Sequence, residues 1–152
     1  MKITVYKSER LLICTDGSKI VLRAFIQLGF GANDGPKRRE GDGCTPEGKY
    51  VISARNPASK FHLALGISYP GPHDAEAALR AGIIDAATCA RICENPSRPP
   101  WDTPMGGFIM IHGQKSTPET GDWTAGCIAV ENSVMDILFR IMSIGDSVEI
   151  LP

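Results

Sequence analysis

What this chain lacks narrows its class before any motif is read. It lacks an excess of either charge: 16 Lys and Arg stand against 17 Asp and Glu, a formal net charge of -1. No global basic field is available to hold nucleic acid. The one basic cluster, Lys37-Arg38-Arg39, is flanked by Asp34, Glu40 and Asp42. It reads as a solvated loop, with a local anion contact as the alternative. No run reaches the ~18 apolar residues of a transmembrane segment. Lys7, Glu9 and Arg10 interrupt the N-terminal segment, so the unbroken apolar core of a signal peptide is missing. Three expectations remain open: a cytoplasmic protein, one exported by another route, or one trimmed of its leader.

A second set of metal ligands is also lacking. Cys89 and Cys93 lie four apart on a predicted helix and share a face, a spacing that could place two ligands. No matching pair or nearby histidine accompanies them. Packing is the preferred reading, and neither metal nor cofactor is expected. The five cysteines (14, 44, 89, 93 and 127) leave at least one unpaired in a monomer, the favoured state. Cys14, in a strand-like run, reads as a small buried hydrophobe. No repeat and no linker divides the 152 residues, so one domain over 1–152 is expected. A hydrophobic content of 43% against 22% charged residues argues against disorder.

The first third is rich in β-formers. "KITVYKS", "RLLICT" and "KIVLRAFIQLG" predict a three-strand meander, with an Asp-Gly turn in "TDGSK" and Ile20, Leu22, Ala24 and Ile26 alternating along the third strand. Residues 29–48, rich in Gly and Pro, predict a loop. "KYVISARN" and "FHLALGISYP" predict strands. Asp74 is expected to cap a helix ended by Gly82, and Asp85 a second one stopped at Asn95-Pro96. "FIMIH" predicts a short buried strand. Val134, Ile137, Leu138 and Ile141 mark an amphipathic helix over 133–143, and "DSVEIL" a last strand. The sum is a mainly β fold with a few short helices.

One junction carries chemistry. In "GDWTAGCIAV", residues 121–130, an irregular loop passes through Gly126-Cys127 into an apolar strand. A nucleophilic cysteine needs a base, an exposed sulfur and N–H groups that await an oxyanion. Gly126 lets a carbonyl substrate approach the backbone, and the N–H groups of Gly126, Cys127 and Ile128 are candidate oxyanion donors. His112, ending "FIMIH", is the candidate base, because strand 107–112, loop 113–125 and strand 126–130 can bring the two side by side. His62 and His73 qualify on composition alone. Inert packing is the competing reading of Cys127.

"IMIHG" followed by "GDWTAGCIAVEN" resembles the signature of the L,D-transpeptidase catalytic domain family. "GDGCTPEGKYVI" (42–52), "NPASKFHLALGISYP" (56–70) and "PPWDTPMGGFIMIHG" (99–113) agree in order, so the resemblance runs from about residue 20 to the C-terminus. It implies an L,D-transpeptidase-like β-sandwich, a location in the cell envelope or periplasm, and peptidoglycan stem peptides as partner. It places the nucleophile on Cys127, the base on His112, the carbonyl that orients the base on Gly113 and the motif hydroxyl on Thr124. Two motif positions differ: Ala125 stands for a second His and Ala129 for an Arg, which removes a cation. Thr124, Trp123 and Tyr69 are candidate substrate contacts, although Trp123, Trp101 and Tyr69 suit packing or a loop anchor equally well. The implied chemistry is acyl transfer through a thioester, releasing D-alanine from a tetrapeptide and giving a 3→3 cross-link or an exchanged D-amino acid. Hydrolysis by the same pair, as an L,D-carboxypeptidase or endopeptidase, is the alternative. An inactive peptidoglycan-binding module and a metal protein built on Cys89, Cys93 and a histidine are others.

Overall fold

A computed structural model describes residues 1–117 and 119–152. Eight strands follow the chain: β1 (Lys2–Tyr6), β2 (Leu11–Asp16), β3 (Lys19–Phe25), β4 (Gly48–Ser59), β5 (His62–Ile67), β6 (Met110–His112), β7 (Ile128–Ala129) and β8 (Ser147–Leu151). They form one sheet in the order β3-β2-β1-β8-β4-β5-β6-β7. Three α-helices complete it among the described residues: α1 (Pro72–Arg80), α2 (Ala86–Glu94) and α3 (Asn132–Ile141). The fold is mainly β with short helices, as expected.

Alternation sets the register. Ile3 and Val5 point inward from β1, Leu12 and Cys14 from β2, Val148 and Ile150 from β8. β1 and β8 run parallel with Ile3 opposite Val148 and Val5 opposite Ile150, so the apolar faces coincide and the two ends of the chain are joined. The sheet then curls upon itself. Gln27, just beyond β3 at one end of the strand order, bridges Ala129 of β7 at the other, and Gly29 bridges Thr124. The curl encloses Leu28, Ile52, Leu65, Ile67, Ile111, Ile128 and Leu138, all fully buried. Each such side chain contributes about 1.5–3 kcal/mol by leaving water.

Several local expectations are corrected. Ile20 and Val21 are exposed, because the first half of β3 has a neighbour on one side only. Asp74 lies inside α1 and is not its cap. The helix begins at Pro72 after Gly71, and the Asp74 carboxylate reaches back to accept from Gly71 N at 2.8 Å and from Tyr50 Oη at 2.9 Å. Asp85 does cap α2, accepting from Thr88 N at 2.8 Å. On α3 the buried face is centred on Leu138 with Met135 beside it. Ile137, about 100° around the helix from Leu138, is 39% exposed. The strand read in "FIMIH" is only Met110–His112, because Phe108 takes a positive φ of 56° and turns outward.

Lys37 is buried, so the solvated-loop reading fails for it. Its ammonium donates to Asp42 Oδ1 at 2.9 Å. Asp42 also accepts from Arg38 N, Arg39 N and Cys44 N, and these bonds hold its carboxyl below the ordinary value against burial. Cys14 packs in the main core and Cys89 in a second cluster with Ala75, Ala78, Ile84, Ile92 and Met105. Among the described residues no three His, Cys, Asp or Glu gather as metal ligands. No described helix is long and apolar enough to cross a membrane.

Candidate active site

β6 and β7 make the site. They run parallel, with Ile111 opposite Ile128 and His112 opposite Ala129. Ile111 and Ile128 face the core. Side chains alternate between faces, so Met110 and His112 take the other face of β6, as Cys127 and Ala129 do beside them. His112 and Cys127 are thus diagonal neighbours on one face, within reach of a ring side chain. They do not bond to one another among the described residues. The half-buried thiol donates to Phe108 O at 3.4 Å, and Met110 N lies 3.4 Å from the sulfur.

The imidazole is fixed on all sides. His112 is 3% exposed. Its Nδ1 lies 2.7 Å from Gly113 O, and a carbonyl can only accept, so Nδ1 carries the proton and Nε2 keeps its lone pair. Gly113 has no room for a side chain: a Cβ would stand 2.4 Å from Asn132 Oδ1 and 2.7 Å from Phe61 O. Phe61 stacks on the imidazole at 4.6 Å and 27°, and Trp123 closes the other edge at 5.6 Å. Lys60 lies over the Phe61 ring and Lys115 over the Trp123 ring.

Burial sets both protonation states. It pushes the Cys127 thiol up, opposed by the Met110 N–H and by Lys37 and Lys60. It pushes His112 down, aided by Lys60 and opposed by the bond to Gly113. The resting pair is a neutral thiol beside a neutral imidazole with a free Nε2.

The three candidate oxyanion donors are not equivalent. Gly126 N is engaged, donating to Thr124 Oγ1 at 3.2 Å. Ala129 N donates to Gln27 O and Val130 N to His112 O, so N–H groups alternate sides along this strand. Ile128 therefore faces the β6 ladder, whereas Cys127 N points the way Ala129 does and donates to no group among the described residues. Gly126 is required for a further reason. Its φ is 135°, and a Cβ would lie 2.7 Å from Cys44 O.

Two of the expected substrate contacts have their hydroxyls bonded within the protein. Tyr69 is fully buried, with its hydroxyl bonded to Met105 O at 3.0 Å, and is a core residue. The Thr124 hydroxyl donates to Cys127 O at 2.7 Å and accepts from Gly126 N, so it clamps the turn before Cys127. Trp123 walls His112 and donates from Nε1 to Gln27 Oε1 at 3.0 Å. His62 pairs with Asp136, and His73 with Asp74 and Glu47 O. Ala129 is fully buried, whereas Ala125 is exposed. Phe61, Phe108 and Met110, which border the pair, were not singled out from the sequence.

The family profile of YkuD, the L,D-transpeptidase catalytic domain, matches residues 1–150. The chain belongs to this family. No curated protein matches it in sequence. Solved structures share its fold. The helical cell shape determining protein Pgp2 from Campylobacter jejuni superposes with a TM-score of 0.67 at 20% identity, over 98% of this chain and 46% of that one. Bd1075 from Bdellovibrio bacteriovorus gives 0.61 at 22% identity, over 98% and 46%. L,D-transpeptidase 1 from Mycobacterium tuberculosis gives 0.55 at 12%, over 99% and 60%. The YkuD chain described here spans about half the length of the first two.

Proposed function

We propose that this YkuD domain is a cysteine acyltransferase of the cell envelope, acting on peptidoglycan stem tetrapeptides. One observation carries the reading above all. His112 Nδ1 is pinned by Gly113 O, leaving Nε2 as the only basic ring atom, and the ring shares a sheet face with Cys127.

The steps follow from the neutral pair. As sulfur bonds to the carbonyl carbon between the third and fourth stem residues, the thiol proton passes to His112 Nε2. The carbonyl oxygen becomes an oxyanion that the Cys127 N–H receives. When the C–N bond breaks, Nε2–H protonates the departing D-alanine amine, leaving a thioester. An incoming amine loses its proton to His112, attacks the thioester and restores the thiol. Water in that role gives hydrolysis. The residues balance every proton without further groups.

Incubation of the protein with a disaccharide-tetrapeptide should release D-alanine. With a second D-amino acid present, an exchanged tetrapeptide identifies a transferase, and tripeptide alone identifies a hydrolase. No D-alanine from any stem peptide would sink the proposal. The pH profile is a second check. His112 must be neutral to accept the proton, and burial holds it below the ordinary 6.5. The acid limb of kcat/KM should therefore fall below 6.5. A limb at or above that value would remove His112 as the base.

A further inference from the structure

The row of residues that carries Cys127 continues across the sheet. Ala54 of β4 pairs with Gly66 of β5, and Gly66 with Met110 of β6, whose N–H meets the Cys127 sulfur. Gly66 presents no side chain, and the Trp101 indole lies over it. A Cβ at Gly66 would be 3.4 Å from Trp101 and 3.3 Å from Met110 Sδ. Trp101 in turn packs on Phe108 at 4.6 Å, and the Phe108 carbonyl accepts the Cys127 thiol. An aromatic ledge thus runs from the nucleophile toward β4.

At its far end lies a cavity of about 280 Å³, bounded by Ser53, Ala54, Arg98, Pro99 and Trp101. Ser53 is the extra residue of a β-bulge, because Ile52 pairs with Ile67 and Ala54 with Gly66, leaving Ser53 unopposed. Bulges re-aim side chains and recur beside functional sites. Ser53 is 5% exposed, and its Oγ has no hydrogen-bond partner among the described residues. Trp101 Nε1 has none either. Of the three buried side-chain polar atoms without a partner among the described residues, two belong to residues that line this one cavity. Buried polar atoms are ordinarily paired, so two such exceptions at one place point to a ligand. Arg98 adds an exposed guanidinium, and no acidic side chain lines the cavity among the described residues. A hydroxyl, an indole N–H and a guanidinium are complementary to a carboxylate.

We propose that this cavity is a carboxylate subsite of the Cys127 cleft, and that it takes a carboxylate of the acyl-donor peptide. The inference rests on the function proposed above. Three strand spacings, about 14 Å, separate Cys127 from Ala54. The leaving group of that reaction is one residue, about 3.3 Å long when extended, and is too short to reach. The carboxylate therefore sits on the donor side of the scissile bond, on a residue that precedes it.

The test uses the full chain with Cys127→Ala, which holds substrate uncleaved, and isothermal titration with a disaccharide-tetrapeptide. Arg98→Gln and Trp101→Phe in that background should each weaken binding about tenfold, the cost of a charge-assisted hydrogen bond. Amidating the donor-side carboxylates one at a time identifies the group: against the right amide, Arg98→Gln loses its effect. Ser53→Ala should weaken binding while leaving Tm unchanged or higher, since it removes an unpaired buried hydroxyl. A merely structural serine would lower Tm and spare binding. If the Cys127→Ala parent binds and Arg98→Gln and Trp101→Phe bind equally well, the subsite is wrong and the function stands. If the parent binds no stem peptide, the function falls and the subsite with it.

Discussion

Cys127→Ala is expected to abolish D-alanine release and leave the fold intact. The sulfur is the only atom removed, and its bonds are long ones to Phe108 O and Met110 N. The turn before it is held by other groups: Thr124 Oγ1 bonds to Cys127 O and Gly126 N, and the backbone of Thr124 bonds to Leu28 and Phe30. Thermal melts of the variant and parent should coincide within a few degrees, whereas turnover should fall to the uncatalysed background. Alkylation gives an independent check. Cys14, Cys44 and Cys89 are buried, so a limiting dose of iodoacetamide should label Cys127, with half-buried Cys93 as its competitor. Full turnover in Cys127→Ala would leave the YkuD fold in place without the proposed thioester chemistry.

The strands and the neighbouring placement of Cys127 and His112 were legible because each leaves a local mark. Ile3, Val5, Leu12 and Cys14 alternate, and a histidine ending one apolar run precedes a Gly-Cys opening the next. What stayed hidden depends on distant partners. Tyr69 reads alike as wall or core until Met105 O is found beneath its hydroxyl. Nothing in "DWTAGC" says that the Thr124 hydroxyl is spent on Cys127 O and Gly126 N, leaving Cys127 N as the free donor among the described residues. Lys37 looks like a surface cation because its counterion, Asp42, is brought beneath it only when the loop folds. The bulge at Ser53 depends on which residue of β5 faces which of β4, and one chain's sequence does not print that register. The curl that joins Gln27 to Ala129 is of the same kind.

His112→Gln should lower D-alanine release by about 10²–10⁴-fold, the range for loss of a general base. Glutamine is polar and can reach Gly113 O, but it has no basic atom to take the thiol proton. The acid limb of the pH profile should disappear with the imidazole. Stability supplies a readout that separates chemistry from packing. Burial holds the folded pKa of His112 below the ordinary 6.5, so between those two values the unfolded chain takes up a proton that the folded chain refuses. Parent stability therefore declines as pH drops through 6.5 and stops declining below the folded pKa. In His112→Gln that component of the slope should be missing, while at pH 8 the two proteins differ only by packing against Phe61 and Trp123. Denaturant midpoints across this range check the sign. Equal slopes would mean that His112 is not held neutral. A variant that kept parental turnover would mean that the thiol gives its proton to another group.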